Sequence, residues 1–188
     1  LDDADARARI LAQEPEAEPA TQELHSMVMD NLRRFHNGGA CVSDTGESRS
    51  PIERAALAAQ EDLNVMLRCD DDRQWRLRAT CVCWPSRWVP HRKLGLTLEE
   101  IHKDVPGLNA AMGAQMSRFF DKLQPGRIVA RCNWSVVDDP RLYQPEARPP
   151  LAAMDSTAVG TDRGAATLGD TRWFRLERQT LRKLPTTG

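Results

Sequence analysis

Two apolar runs with strand-like alternation, Leu63 to Arg68 and Trp75 to Trp84, stand on either side of the acidic triplet Asp70, Asp71 and Asp72. Alternating runs joined by a polar turn mark an antiparallel hairpin. This stretch constrains the fold most, because a hairpin is not stable until one of its faces is covered. On the second run Trp75, Leu77, Ala79, Cys81 and Cys83 share one side, while Arg76, Arg78 and Thr80 take the other. The first set is therefore expected in the core.

Helices with readable start signals surround this hairpin. Ser50, Pro51 and Glu53 predict a helix over 51 to 60: the hydroxyl can accept from an amide of the first turn, Glu53 can reach back, and Pro51 stands where no amide donor is needed. Thr97 and Glu100 repeat the pattern and predict a short helix from Leu98 to Lys103, with His102 in its last turn and Pro106 and Gly107 ending it. Asn109 is expected to cap a longer helix to Leu123, whose apolar stripe is Met112, Met116, Phe119, Phe120 and Leu123. Nearer the start, residues 1 to 20 read as a short helix and an exposed lead-in broken by Pro15 and Pro19. A better helix follows from Thr21, with Leu24, Val28 and Leu32 on one stripe. Asn37, Gly38 and Gly39 stop it, and Gly38 to Ser50 reads as loop.

Ile128 to Val137 alternates again, with Ile128, Ala130, Cys132, Trp134 and Val136 on one face and Arg131, Asn133 and Ser135 on the other. Arg141 to Asp170 lacks periodicity and is long for a connection, which suggests a functional loop or a flexible excursion. Trp173 to Leu184 returns to strand character, with Phe174 and Leu176 opposite Arg175 and Glu177. The order of elements predicts an α+β domain on a mostly antiparallel sheet with helices packed on one side. Residues 1–50 are the expected helical lead-in and loop, and 51–188 the domain proper. A length of 188 residues suits one such domain.

With 26 basic and 27 acidic side chains there is no global field to draw nucleic acid or an anionic membrane, so neither is an expected partner. No apolar run approaches the roughly 20 residues of a membrane span, and no signal peptide is visible. Five cysteines (Cys41, Cys69, Cys81, Cys83 and Cys132) lack the paired spacing of a zinc site, and reduced thiols in a cytoplasmic protein are the simpler reading. Half of the ten aromatic residues are tryptophans, Trp75, Trp84, Trp88, Trp134 and Trp173. They suit an apolar pocket or a core seam. No phosphate-binding glycine loop and no GxSxG elbow occurs.

Among the histidines, His102 projects from the short capped helix, and its imidazole is a possible metal ligand. Taken alone it reads as a surface histidine near a helix C-terminus. Glu177, between Arg175 and Arg178, reads alone as half of a solvated ion pair. Trp84, Arg87, Trp88 and Trp134 could fill a core or wall a flat cofactor. Arg131 and Asn133 could serve a site or the solvent.

The ordered series WPSRW (Trp84 to Trp88), IHKDVPG (Ile101 to Gly107), RFFDKLQPGR (Arg118 to Arg127), NWSVVDDP (Asn133 to Pro140) and RLERQTLRKLP (Arg175 to Pro185) resembles the haem-dependent oxidative N-demethylase family. Lys103 and Asp104 depart from its pattern, where apolar or small residues are expected. The resemblance implies a PAS-like fold enclosing haem b, with His102 as axial ligand of the iron and Glu177 as anchor for a substrate ammonium. On the same basis Trp84, Arg87, Trp88, Arg131, Trp134, Arg175 and Arg178 are carried as cofactor-binding residues. It further implies a monooxygenase that demethylates a small methylated amine such as dimethylamine with O2, releasing formaldehyde. Electrons would come from a reductase partner or domain with FMN, a [2Fe–2S] cluster and NADPH. The family pattern would also continue past Gly188 into a further strand and helical region. A non-catalytic haem or small-ligand sensor of PAS type is the alternative, and an interaction module without cofactor is a third reading.

Overall fold

The hairpin forms where its alternation lies, in a computed structural model that describes residues 4–36, 48–105, 107–146 and 172–188. Strand β2 (Leu63–Arg68) pairs antiparallel with β3 (Trp75–Cys81), from Leu63 opposite Cys81 to Arg68 opposite Trp75, with an irregularity between Val65 and Met66. The turn is closed by Cys69 N donating to Gln74 O at 2.9 Å and by Asp72 Oδ1 accepting from Gln74 N at 3.0 Å. Such local side-chain bonding is why aspartates favour turns. Trp75, Leu77, Ala79 and Cys81 are all buried, as their shared face requires. The strand ends at Cys81, so Cys83, expected to extend that face, lies beyond it and is half-buried.

The first residues depart from the expected exposed lead-in. Helix α1 (Ala4–Ile10) runs into a short strand β1 (Leu11–Gln13), which pairs antiparallel with the other side of β3 and gives the sheet order β1-β3-β2. A turn of 3-10 helix at Pro15–Ala17 leads into α2 (Glu18–Phe35), and after it comes α3 (Pro51–Ala58). Ala17 and Ala20 are buried; with Ile52, Val65, Ala79 and Cys81 they form the core, against which Leu24 and Leu184 also pack. The small side chains of Ala17 and Ala20 fill the core beside Ile52, and a strand of three residues is too short to show a period. Pro19 does not break α2, because it occupies the first turn, where a missing amide hydrogen costs nothing. The stripe of Leu24, Val28 and Leu32 is only half-buried, and Thr21 and His25 face inward instead.

The capping box expected at Ser50 does not form. Ser50 precedes α3, but its side chain makes no cap bond, and its hydroxyl oxygen is buried without a partner among the described residues. Glu53 has been drawn elsewhere. Its carboxylate, 1% exposed, takes Arg7 Nε at 3.0 Å and Nη2 at 2.6 Å, with Arg49 Nη1 at 3.3 Å. Two parallel N–H donors from one guanidinium outweigh a single backbone amide. This ion pair ties α1 to α3. At the other end of the chain, Glu23 of α2 accepts from Thr186 N at 2.8 Å and Thr187 N at 2.9 Å, which holds the last residues on the helix.

Helix α4 (Leu98–Ile101) does have its capping box, with Thr97 Oγ1 accepting from Glu100 N and Glu100 Oε2 accepting from Thr97 N at 2.8 Å. Helix α5 (Leu108–Asp121) begins two residues earlier than expected. Gly107 at φ 73° is its N-cap, so Asn109 lies inside the first turn; Pro106 and the Met112 side chain are outside the described residues. A left-handed φ favours glycine. Phe120 of α5 packs on Trp75 with ring centroids 5.7 Å apart, and Trp75 Nε1 donates to Asp121 Oδ1 at 2.8 Å.

Strands β4 (Ile128–Val137) and β5 (Trp173–Arg182) make a second, two-stranded sheet, so the described strands form two sheets where one was expected. Cross-strand contact moves forward along β4 from Arg131 to Trp134 as it moves back along β5 from Gln179 to Phe174, so the two run antiparallel. By contacts the chain divides into two compact units, one of Leu1–Cys83, Val89–Arg127 and Arg182–Gly188, the other of Trp84–Trp88 and Ile128–Leu181. Residues on both sides of position 50 share the first unit. Most of the Arg141 to Asp170 connection and of the Gly38 to Ser50 loop lies outside the described residues. The architecture is α+β with antiparallel sheets. Among the described residues no helix is long and apolar enough to cross a membrane.

Candidate functional site

In the second unit Arg175 organises what lies around it. Its guanidinium donates from Nε to Glu177 Oε1 at 3.0 Å, from Nη1 to Leu142 O at 2.9 Å and from Nη2 to Trp84 O at 2.6 Å. A planar group with fixed donor directions can join three segments in one geometry, which a lysine cannot. Side chains alternate along β5, so Arg175 and Glu177 share a face with Gln179, and Gln179 accepts from Arg131 Nε at 2.7 Å. These members of the predicted set are brought together. Arg175, carried as a cofactor-binding residue, spends these donors on the protein itself.

The segment Trp84–Trp88 is held from its other side by residues 138 to 144. Gln144 N donates to Pro85 O at 3.0 Å, and Arg87 N donates to Gln144 O at 2.6 Å. The Arg87 side chain pairs with Asp138 at 3.5 Å. To make these bonds Arg87 adopts φ 66°, a left-handed conformation that costs a non-glycine residue roughly 1–2 kcal/mol. Asp139 accepts from Arg141, side chain first and then backbone, and these bonds hold its carboxyl at about 2. The motif residues Asp138 and Asp139 thus serve as turn anchors. Gln144, which no sequence signal marked, is the hub of the turn: Nε2 donates to Asp139 O at 2.8 Å and to Arg141 O at 2.7 Å.

Trp84 and Trp88 are half-buried within this frame. Trp134 and Arg178 are not in it. Both belong to the opposite face of the β4–β5 ribbon, where Trp134 is 70% exposed and meets Phe174 at 6.4 Å. Trp173 is also exposed, so the expectation that all tryptophans line a pocket or core seam fails for two of them. Covering a tryptophan requires a second layer, and no element among the described residues supplies one there.

His102 belongs to the first unit. It is the C-cap of α4, half-buried, with Nδ1 2.7 Å from Leu98 O. A carbonyl oxygen only accepts, so Nδ1 carries the hydrogen, and in the neutral ring Nε2 keeps the lone pair. The capping box fixes the start of α4 and Val105 N closes on His102 O at 3.0 Å, so the ring stands on a braced turn. The other histidines are placed differently: His91 and His36 are exposed, and His25 is buried in α2.

Among the described residues no group of three or more His, Cys, Asp or Glu side chains could hold a bare metal ion. A haem iron asks less, because the porphyrin supplies four nitrogens and the protein one. An imidazole held at Nδ1 by a backbone carbonyl, with Nε2 left to ligate, is the arrangement that fixes tautomer and ring orientation in histidine ligands. The donor set of this chain therefore fits a haem. Among the described residues the cysteines offer no competing centre. Cys81 is buried, and burial first, then the neighbouring Cys83 thiol, pushes its thiol up to about 12.

The family described as haem-dependent oxidative N-demethylase, alpha subunit-like, matches residues 3–188. A search of curated proteins found no match.

Proposed function

Because the chain belongs to the haem-dependent oxidative N-demethylase, alpha subunit-like family, we propose that it is the haem-bearing part of a monooxygenase that removes an N-methyl group from a small amine. His102 is the residue to hold haem b, through Nε2, inside a fold of PAS-like type. The hydrogen bond from its Nδ1 to Leu98 O is the observation that carries this reading. It keeps the ring from turning and leaves Nε2 as the ligating nitrogen.

When bound, the haem supplies the oxygen-activating chemistry that no side chain of this protein has. The chain's own contribution is to bind and orient. Glu177 keeps one oxygen, Oε1, on Arg175, which fixes the carboxylate in direction; Oε2 is then the acceptor for a substrate ammonium. One oxygen atom of O2 enters a methyl C–H bond, and the other leaves as water with two electrons and two protons. The N-hydroxymethyl product loses formaldehyde and leaves the demethylated amine. Dimethylamine is the proposed substrate of this class. Two electrons per turnover require a reductase, proposed as a partner or domain with FMN, [2Fe–2S] and NADPH in the cytoplasm.

The test is spectroscopic. The purified protein given haem should show a Soret band, and His102→Ala should abolish or shift it while His102→Gly with added imidazole restores it. An unchanged spectrum in His102→Ala removes the ligand assignment. One observation favours a non-catalytic sensor as second reading, namely that Glu177 is already paired with Arg175. Formaldehyde release from dimethylamine with a competent reductant separates the two, and its persistent absence supports the sensor.

A further inference from the structure

Helix α4, which ends at His102, is a single turn of four residues, too short to hold itself together. Whatever braces its C-terminal end therefore aims the imidazole. Leu98 O is taken by His102 itself, and Ile101 O, the last carbonyl of the helix, accepts from Lys93 Nζ at 3.0 Å. The same ammonium reaches across the turn to Asp104 Oδ2 at 3.2 Å. Lys93 thus grips the residue before His102 and the second residue after it. Its side chain is only 12% exposed, and a cation so enclosed is costly to part from its acceptors. Lysine also suits a helix C-terminus, where the last carbonyls carry partial negative charge.

The lysine is in turn anchored to the core. It ends a 3-10 turn, Pro90–Lys93, and its carbonyl accepts from Leu96 N at 3.1 Å. Leu96 O accepts from Leu77 N at 3.0 Å, and Gly95 N donates to Leu77 O at 2.7 Å. Leu77 is a buried residue of β3. A line of bonds therefore runs from the central strand through Lys93 to both sides of His102. Asp104 is one of the two residues at which this chain departs from its family's pattern, and the ion pair gives that departure a use. Resting on the reading of His102 as the iron's ligand, we propose that Lys93 is its positioning residue: it locks the turn on which the ring stands, and Asp104 keeps the ammonium in place. Groups that orient a ligating histidine from outside the metal's own shell are typically worth about 10–100-fold in affinity.

The rate at which the haem-loaded full chain gives up haem to excess apomyoglobin tests this. Lys93→Met, which keeps the side-chain length and removes the donors, should lose haem about tenfold faster than wild type with the Soret position unchanged. The iron–histidine stretching band of the ferrous protein should broaden as the ring takes up more orientations. Lys93→Arg, which can still donate to Ile101 O, should recover most of the rate. Asp104→Asn should stay within about fivefold of wild type, because that carboxylate is exposed. A readout without haem is the Val105 amide, bonded to His102 O, whose hydrogen exchange should quicken in the Lys93→Met apoprotein. Arg68→Met, which breaks an ion pair to Asp121, is the control for lost stability alone. Haem loss and band shape in Lys93→Met that match this control mean a merely structural lysine and overturn the proposal. Wild-type haem loss in Lys93→Met, with His102→Ala still changing the Soret band, overturns the role of Lys93 and keeps the ligand. An unchanged Soret band in His102→Ala overturns both. Should Lys93→Met fail to fold, a scalar coupling between Lys93 Nζ and the Ile101 carbonyl carbon is sought in the wild type, and its absence defeats the idea.

Discussion

Strand β3 hides Trp75, Leu77, Ala79 and Cys81, whereas β4 displays Ile128, Ala130, Cys132, Trp134 and Val136 to solvent, although both alternate in the same way. The neighbouring strand β5 adds Phe174 at 75% and Leu176 at 69% exposure to that bare face. The difference lies in what each strand has above it. β3 is central, paired on both sides, and the 3-10 turn, α2 and α3 set Ala17, Ala20 and Ile52 in the core with Ala79 and Cys81 of its apolar face. The ribbon has its polar face built into the Arg175 frame, and its apolar face meets no second layer among the described residues. Period therefore states which residues share a side, and only a covering layer decides which side is inside.

Thiol chemistry should separate the two regions most widely. Cys81 lies on the covered face and its thiol stands at about 12, while Cys132 is on the open one. At pH 8 Cys81 should label at least about a thousandfold more slowly in the folded protein than after unfolding, since the thiolate is the reacting species. Cys132 should label without unfolding. Peptide mapping after a timed pulse reads both, and rapid labelling of Cys81 would mean that the core opens locally.

Matched truncations give the next largest contrast. Ile52→Ala, at a fully buried site, should cost about 3 kcal/mol in urea unfolding. Leu176→Ala should cost less than about 0.5 kcal/mol, as surface changes do. A loss at Leu176 as large as that at Ile52 would show that the ribbon face is covered in solution and would end the contrast.

The smallest effect concerns charge. The Arg7 guanidinium bonded to Glu53 holds that carboxyl below its ordinary 4.5, against burial. A carboxyl depressed in the folded state stabilises above its unfolded value and loses that contribution as pH falls through the folded one. At pH 7 Glu53→Gln should be less stable than wild type by on the order of 1–2 kcal/mol, and the gap should close progressively below pH 4.5. Urea midpoints of both proteins across that range check it. A gap that does not narrow would assign the loss to packing.

How legible the molecule was depends on the range of the forces at each place. The hairpin, the Thr97–Glu100 cap and the bounds Ile128–Val137 could be read from the chain, since each rests on neighbours within a few residues. Strand β1 and the buried alanines could not, because a three-residue strand exists only where β3 offers an edge. The Ser50 cap was read and does not form, because Arg7, remote in sequence, takes Glu53. Of the candidate site, the sequence marked His102, Glu177 and Arg175 as residues. It gave no hint of Gln144, whose importance comes from two carbonyls of its own turn and from a carbonyl and an amide of the Trp84–Trp88 segment.

By itself, then, the order of residues determined the local elements, the sharing of strand faces and the family. Tertiary structure alone decided which apolar face is covered, which nitrogen of His102 is tied to Leu98, and that Arg175 binds Trp84, Leu142 and Glu177 into one frame. The physical reason is that propensity and capping act within a turn or two of the chain. Burial and charge-assisted bonding act between atoms that folding brings together from any distance along it.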